Sequence, residues 1–192
     1  MHPNPAFRWD DAGMRAFVAA EGFGALFLPT PHGPRVAHVP IVFGADERIE
    51  FHLARANALV PHLPGAVALM VVQGAHGYVS PTWYRARPDE VPTWNYLAVE
   101  IEGTVSPLDR PALRRQIDTL AEAHEPEPQW RLDKVAPAKT DAMLDAIAGF
   151  ALRPAAWRGT RKLGQNKPDA MRLAAAQAMG ERPIAAAMRA VS

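Results

Sequence analysis

Residues 74–103 read GAHGYVSPTWYRARPDEVPTWNYLAVEIEG, and they hold all three tyrosines and two of the five tryptophans of the chain. Two phrases repeat, Ser80-Pro-Thr-Trp-Tyr84 and Val91-Pro-Thr-Trp-Asn-Tyr96. Proline lacks an amide donor and drives the residue before it toward extended geometry, so neither phrase fits a helix interior. Each reads as a strand end or turn that presents aromatic rings. A strand is expected before Ser80, and the alternation of residues 97–102 is that of a half-buried strand. Residues 85–90 form the polar connection between the phrases.

Taken singly, each ring reads as core, because Trp and Tyr are bulky and mostly buried. Together they read differently. Flat apolar faces beside Ser80, Thr82, Thr93 and Asn95 are what a planar heteroaromatic ligand uses, with faces to stack on and polar groups for orientation.

Outward from this segment, strands recur about every ten residues. The apolar spacing of Met14, Phe17, Val18 and Glu21 after Asp10 and Asp11 predicts a short helix. Residues 25–29 and 35–43 form a hairpin around the turn at 31–34, and 48–53 a third strand. Asn57 caps a short helix that Pro61 and Pro64 end. Residues 66–73, AVALMVVQ, read as a strand buried on both faces. Strands at this spacing, without crossover helices, predict an antiparallel barrel rather than a doubly wound sheet.

Later in the chain, Leu113, Ile117 and Leu120 mark a helix with Pro111 in its first turn. Residues 125–139 are proline-rich and irregular, Thr140 caps a brief helix, and 147–153 return as a strand. Residues 157–168, WRGTRKLGQNKP, read as a loop dense in cations and amides, followed by two alanine-rich helices. The expectation is one domain over residues 1–192: β-rich 1–106, helices and a returning strand over 107–168, and C-terminal helices 169–192.

Composition narrows the function. Hydrophobic residues are 48% and charged residues 21%, and 19 prolines in 192 residues exceed the usual share of about 5%. Turns and short strands are favoured. A formal net charge of +1 gives no global field for a polyanion. The absence of cysteine removes disulfides, thiolate metal sites and a thiol nucleophile. Residues 1–5 show no leader, and no apolar run approaches the ~20 residues of a membrane span. A soluble cytoplasmic protein is expected.

Three places concentrate polar chemistry. Arg55, just ahead of a helix start in His52-Leu-Ala-Arg-Ala-Asn57, suits a phosphate or a surface carboxylate. Arg158, Arg161, Lys162 and Lys167, with Gln165 and Asn166 between them, make either a phosphate grip or a solvated loop. His38, His52 and His76 lack the spacing of a zinc site, so no metal is expected. Ser80 lacks a nucleophile elbow, and neither standard glycine-rich phosphate loop occurs. No catalytic residue is assigned.

Five ordered motifs, His38-Val-Pro-Ile41, His52 to Asn57, Gly74 to Tyr84, Val91 to Tyr96 and Lys162-Leu-Gly-Gln-Asn166, resemble the PaiB-type FMN-binding family. Its members are described as negative transcriptional regulators of protease synthesis and sporulation. The resemblance implies mainly β structure with flanking helices (α+β), a split antiparallel barrel of the FMN-binding and pyridoxamine-phosphate-oxidase kind, with a helical C-terminal extension. It further implies a homodimer with FMN at the subunit interface. Carried to this chain, it places His52, Arg55 and Asn57 near the phosphate or ribityl chain. Ser80, Trp83 and Tyr84 shape one wall, Thr93, Trp94, Asn95 and Tyr96 another, and Lys162, Gln165 and Asn166 enter from the C-terminal loop. Gly164 stands where the family motif has serine.

Three roles are open. The first is an FMN-binding transcriptional regulator, with DNA contact confined to a local patch of Arg153, Arg158, Arg161 and Lys162. The second is an FMN-dependent oxidoreductase or flavin reductase using NAD(P)H. The third is a non-catalytic carrier or sensor of flavin or haem.

Overall fold

The computed structural model describes residues 2–85, 89–125 and 130–191. Parts of two expected connections, 86–88 and 126–129, lie outside the described residues. In chain order the elements are α1 (Asp11–Glu21), β1 (Phe23–Thr30), β2 (Gly33–Phe43), β3 (Ile49–Ala54), β4 (Val67–Val79) and β5 (Thr93–Pro107). There follow α2 (Arg110–His124), α3 (Pro137–Ala146), β6 (Ile147–Lys162), α4 (Asp169–Met179) and α5 (Pro183–Arg189). The strands close a barrel in the order β1-β2-β3-β6-β5-β4. The antiparallel β-rich architecture expected from the turn spacing is the one observed.

The chain divides into two compact units: a core unit of Arg15–Val72 and Glu100–Trp157, and a terminal unit of Met1–Met14, Gln73–Val99 and Arg158–Ser192. In the core unit, alternate residues of each strand point inward. Leu26, Leu28, Val39, Ile41, Ile49, Phe51, Met70, Ile101 and Leu152 are buried, and the Phe51 and Phe150 rings stack at 5.8 Å. Gly103, on β5, has no room for a side chain: a Cβ there would collide with the Arg153 carbonyl. Asp109 caps α2 by accepting from the Ala112 amide at 2.8 Å, satisfying one of the orphan donors of the first turn. Arg110 ties α2 to α3 through Asp141 (2.7 Å) and Asp145 (2.5 Å).

Four local expectations are corrected. The apolar run of β4 is not buried on both faces: Ala68, Met70 and Val72 are buried, whereas Val67 is 58% exposed. Its outer residues join Phe23, Phe27 and Val36 in an exposed apolar face, with Phe27 paired to Val36 and to Leu69. Thr140 does not cap α3. Pro137 opens that helix, where its missing amide costs nothing, and Thr140 is buried inside it. The cation-dense residues 158–162 are strand, because β6 runs on to Lys162 with the backbone at Gly159 and Thr160 buried. Long cationic stems can lie along a strand with their heads in water, which hides such a strand from a reading of charge. Asn57 accepts from the Leu59 amide at 2.9 Å, closing a turn ahead of the one-turn helix Val60–His62, whose own start has no side-chain cap.

The terminal unit has its own core. Val79, Tyr84 and Leu163 pack with Ala175, Ala176 and Met179 of α4 and Ile184, Ala185 and Met188 of α5. Alanines at helical spacing let the two helices approach closely. Arg172 is buried and joins them, donating to the Met188 carbonyl and, at 2.7 Å, to Asp169.

Candidate functional site

The first residues of β5 and the turn after β6 converge in the terminal unit on a cavity of about 210 Å³. Tyr84, Thr93, Asn95, Lys162 and Asn166, five of the thirteen expected site residues, line it. Lys162 donates to the Thr93 hydroxyl at 2.6 Å and lies 5.8 Å from the centre of the Phe7 ring. Burial pushes its pKa below the ordinary lysine value, because desolvation disfavours the ammonium. Lys167 is 2.5 Å from Glu90 and 5.4 Å from the centre of the Tyr84 ring. Burial, and secondarily the Glu90 charge, raise the pKa of the Tyr84 phenol, so it stays protonated at neutral pH.

Asn95 is the most informative member. It is 1% exposed, and its amide nitrogen donates to the Met188 sulfur at 3.3 Å. Its carbonyl oxygen is buried without a partner. An unmet buried acceptor costs about 1–3 kcal/mol.

Strand alternation separates the second phrase into two faces. Thr93 and Asn95 face the cavity, whereas Trp94 is 50% exposed and stacks on His76 at 5.9 Å, donating to its Nδ1 at 3.3 Å. Tyr78 meets Trp94 and Trp83 edge-on, each at 6.3 Å. Trp94 and Tyr78 are thus exposed members of an aromatic group whose third ring, Trp83, is half-buried against the core of the terminal unit. Tyr96 is half-buried.

Two further expected residues hold backbone. The Ser80 hydroxyl caps the one-turn helix Pro81–Tyr84 by accepting from the Thr82 amide at 3.4 Å. Gln165 accepts from the Leu163 amide at 2.7 Å and donates to the Arg161 carbonyl at 2.5 Å, closing the turn after β6. Gly164, within that turn, has φ +89°, a conformation that strains any side-chain-bearing residue.

The first expected trio lies in the core unit and bonds within it. His52 Nδ1 is 2.9 Å from the Gln116 side-chain oxygen. Arg55 donates to the carbonyls of Asp145 and Ile147, each at 2.7 Å, at the junction of α3 and β6. Asn57 closes its turn. His38 stacks on Phe23 at 6.4 Å, and among the described residues no cluster of three His, Asp or Glu gathers to hold a metal.

Sequence reasoning missed the N-terminal arm. His2, Asn4 and Phe7 line the cavity, and Phe7 is buried. The available signal was Asn4-Pro5: Asn4 accepts from the Ala6 amide at 2.9 Å to start a one-turn helix with proline in its first position. Lys167 was noticed only as part of a charge run.

The barrel, the cavity beside β5 and β6, and the helical C-terminal extension define a split barrel of the flavin-binding class. Two solved structures share the fold: the FAD and heme binding protein from Mycobacterium smegmatis (18% identity, TM-score 0.65, covering 81% of this chain and 72% of that one) and the flavocytochrome Anf3 from Azotobacter vinelandii (19%, 0.66, 82% and 69%). Residues 1–155 match the family described as "Putative FMN-binding domain". The chain belongs to that family, and by this membership its cofactor is FMN. It is 29% identical over 161 residues to the protease synthase and sporulation protein PAI 2 of Bacillus subtilis, covering 80% of this chain and 76% of that one. Among the described residues no helix is long and apolar enough to cross a membrane.

Proposed function

We propose that the terminal-unit cavity receives one end of FMN, the pyrimidine edge of its ring, and that the protein is a flavin-responsive homodimeric regulator. The observation that carries the first part is the unpartnered carbonyl oxygen of buried Asn95. An acceptor repels a phosphate dianion but welcomes an N–H, and the flavin pyrimidine ring carries an N–H between two carbonyls that Lys162 can address. A cavity of about 210 Å³ falls below the ~300 Å³ at which drug-sized pockets begin, so it suits an edge and not the whole cofactor. When bound, FMN supplies reversible acceptance of one or two electrons. The part of the chain is to desolvate Lys162, hold it on Thr93, and keep Tyr84 protonated at the cavity wall.

Homodimer formation is supported by the exposed apolar face of Phe23, Phe27, Val36 and Val67, since contiguous exposed apolar surface marks an interface. The regulatory reading draws on the likeness to PAI 2. Direct DNA contact through Arg153, Arg158, Arg161 and Lys162 draws no such support, because all of them but Arg153 are half-buried.

The test is an absorbance spectrum of the purified protein before and after incubation with FMN and gel filtration. Retained bands near ~450 and ~375 nm are the expected result; a colourless protein that keeps no FMN would refute it. Sedimentation of the same sample reads the dimer, and anaerobic bleaching by NAD(P)H would replace the regulator with an oxidoreductase.

A further inference from the structure

We propose that the N-terminal arm is part of the ligand site, and that His2, Asn95 and Lys162 form a donor, acceptor, donor set selecting a cyclic imide edge. That edge, carbonyl, N–H, carbonyl, belongs to the flavin pyrimidine ring and equally to uracil-type bases. The flavin identity rests on the reading above; the edge chemistry rests on the residues.

The arm is a built element. Phe7 of the arm is buried, a bridge joins Arg8 to Thr160, and the His2 amide donates to the Thr160 hydroxyl at 3.3 Å. The His2 ring packs edge-on against Phe7 at 4.7 Å, so its position is fixed from two sides. The Asn4 amide donates to His2 Nδ1 at 3.2 Å. A ring nitrogen that accepts carries no proton, so the neutral imidazole keeps its N–H on Nε2. His2, which lines the cavity, therefore carries a ring donor.

Lys162 brings the second. An ammonium has three donors, and Thr93 uses one of them. Asn95 supplies the acceptor, buried at 1% exposure and unpartnered. An anion would leave Asn95 unmet, whereas an imide edge offers a partner of the right kind to each of the three groups. Burial makes such matching selective, because a mismatched partner leaves a desolvated polar group unpaired.

The test titrates the full chain with riboflavin, N3-methylriboflavin, uridine and N3-methyluridine, read by flavin fluorescence and by calorimetry. Riboflavin should bind, and its N3-methyl derivative at least about tenfold more weakly. His2→Ala should weaken riboflavin about fivefold or more, and His2→Gln, which keeps an N–H donor, should recover most of that loss. Equal binding of the two riboflavins, or an unchanged His2→Ala variant, overturns the inference while leaving FMN binding standing. Binding of uridine but of neither flavin, with N3-methyluridine rejected, refutes the FMN reading and upholds the imide edge. Binding of none overturns both.

Discussion

Two groups of polar residues stand in contrast. In the core unit, His52, Arg55 and Asn57 make their bonds to Gln116, to the carbonyls of Asp145 and Ile147, and to the Leu59 amide. In the terminal unit, Asn95 is more deeply buried than any of them and keeps its carbonyl oxygen unpartnered. Residue type does not separate the groups, since both contain a cation and an asparagine. What separates them is that Asn95, which lines a cavity, keeps a buried acceptor unmet.

Asn95→Leu breaks this contrast most strongly. Leucine is of similar size and removes the unmet acceptor, so the ligand-free protein should gain on the order of 1 kcal/mol in stability, a few degrees in Tm. Flavin affinity should fall about 10- to 100-fold. Thermal scans and a fluorescence titration of the same preparation would show both. A destabilised protein with intact flavin binding would mean that Asn95 serves the core alone.

Lys162→Met probes the neighbouring donor, with an expected affinity loss of about tenfold. It also has a signature in pH. Because burial lowers the Lys162 pKa, the folded chain holds fewer protons than the unfolded one between that lowered value and the ordinary ~10.4. Stability contributed by this group therefore rises with pH across that window and is constant beyond it. The variant should lack the rise, and identical urea midpoints against pH for both proteins would place Lys162 in water.

Much of this was legible in the sequence. Turn residues and short apolar or alternating runs marked β1 to β5, although the apolar run of β4 pointed to burial on both faces where only one is buried. β6 was read short, because Arg158, Arg161 and Lys162 look like solvent and their stems do not. Asn95 was legible as a site residue, but not as unpartnered, since that depends on Met188, 93 positions away. The partners of Arg55 lie 90 and 92 positions away, so a phosphate grip and a structural brace looked alike. The arm was passed over because a chain terminus carries no periodicity.

Arg55→Ala sharpens the contrast from the other side. Two bonds to carbonyls at an exposed helix end are worth about 1 kcal/mol together, and that loss of stability is expected with FMN affinity unchanged within about twofold. A guanidinium has five donors and only part of the set is engaged. A drop of about tenfold in FMN affinity would therefore show that the remainder grips the phosphate, and the contrast between the groups would dissolve.

The smallest effect is expected one residue from the largest. Trp94 and Asn95 are neighbours on β5, and the two-residue period of a strand sends their side chains to opposite faces. The Trp94 ring is half exposed, stacked on His76 and edge-on to Tyr78. Such pairs contribute about 0.5–1.5 kcal/mol when buried and less in water, so Trp94→Ala should cost well under about 1 kcal/mol. Flavin affinity should stay within about twofold, while near-ultraviolet circular dichroism loses the signal of the coupled rings. If instead the flavin is lost as completely as in Asn95→Leu, both faces of β5 serve the ligand. The outer aromatic group would then be a second wall supplied to a site larger than the cavity.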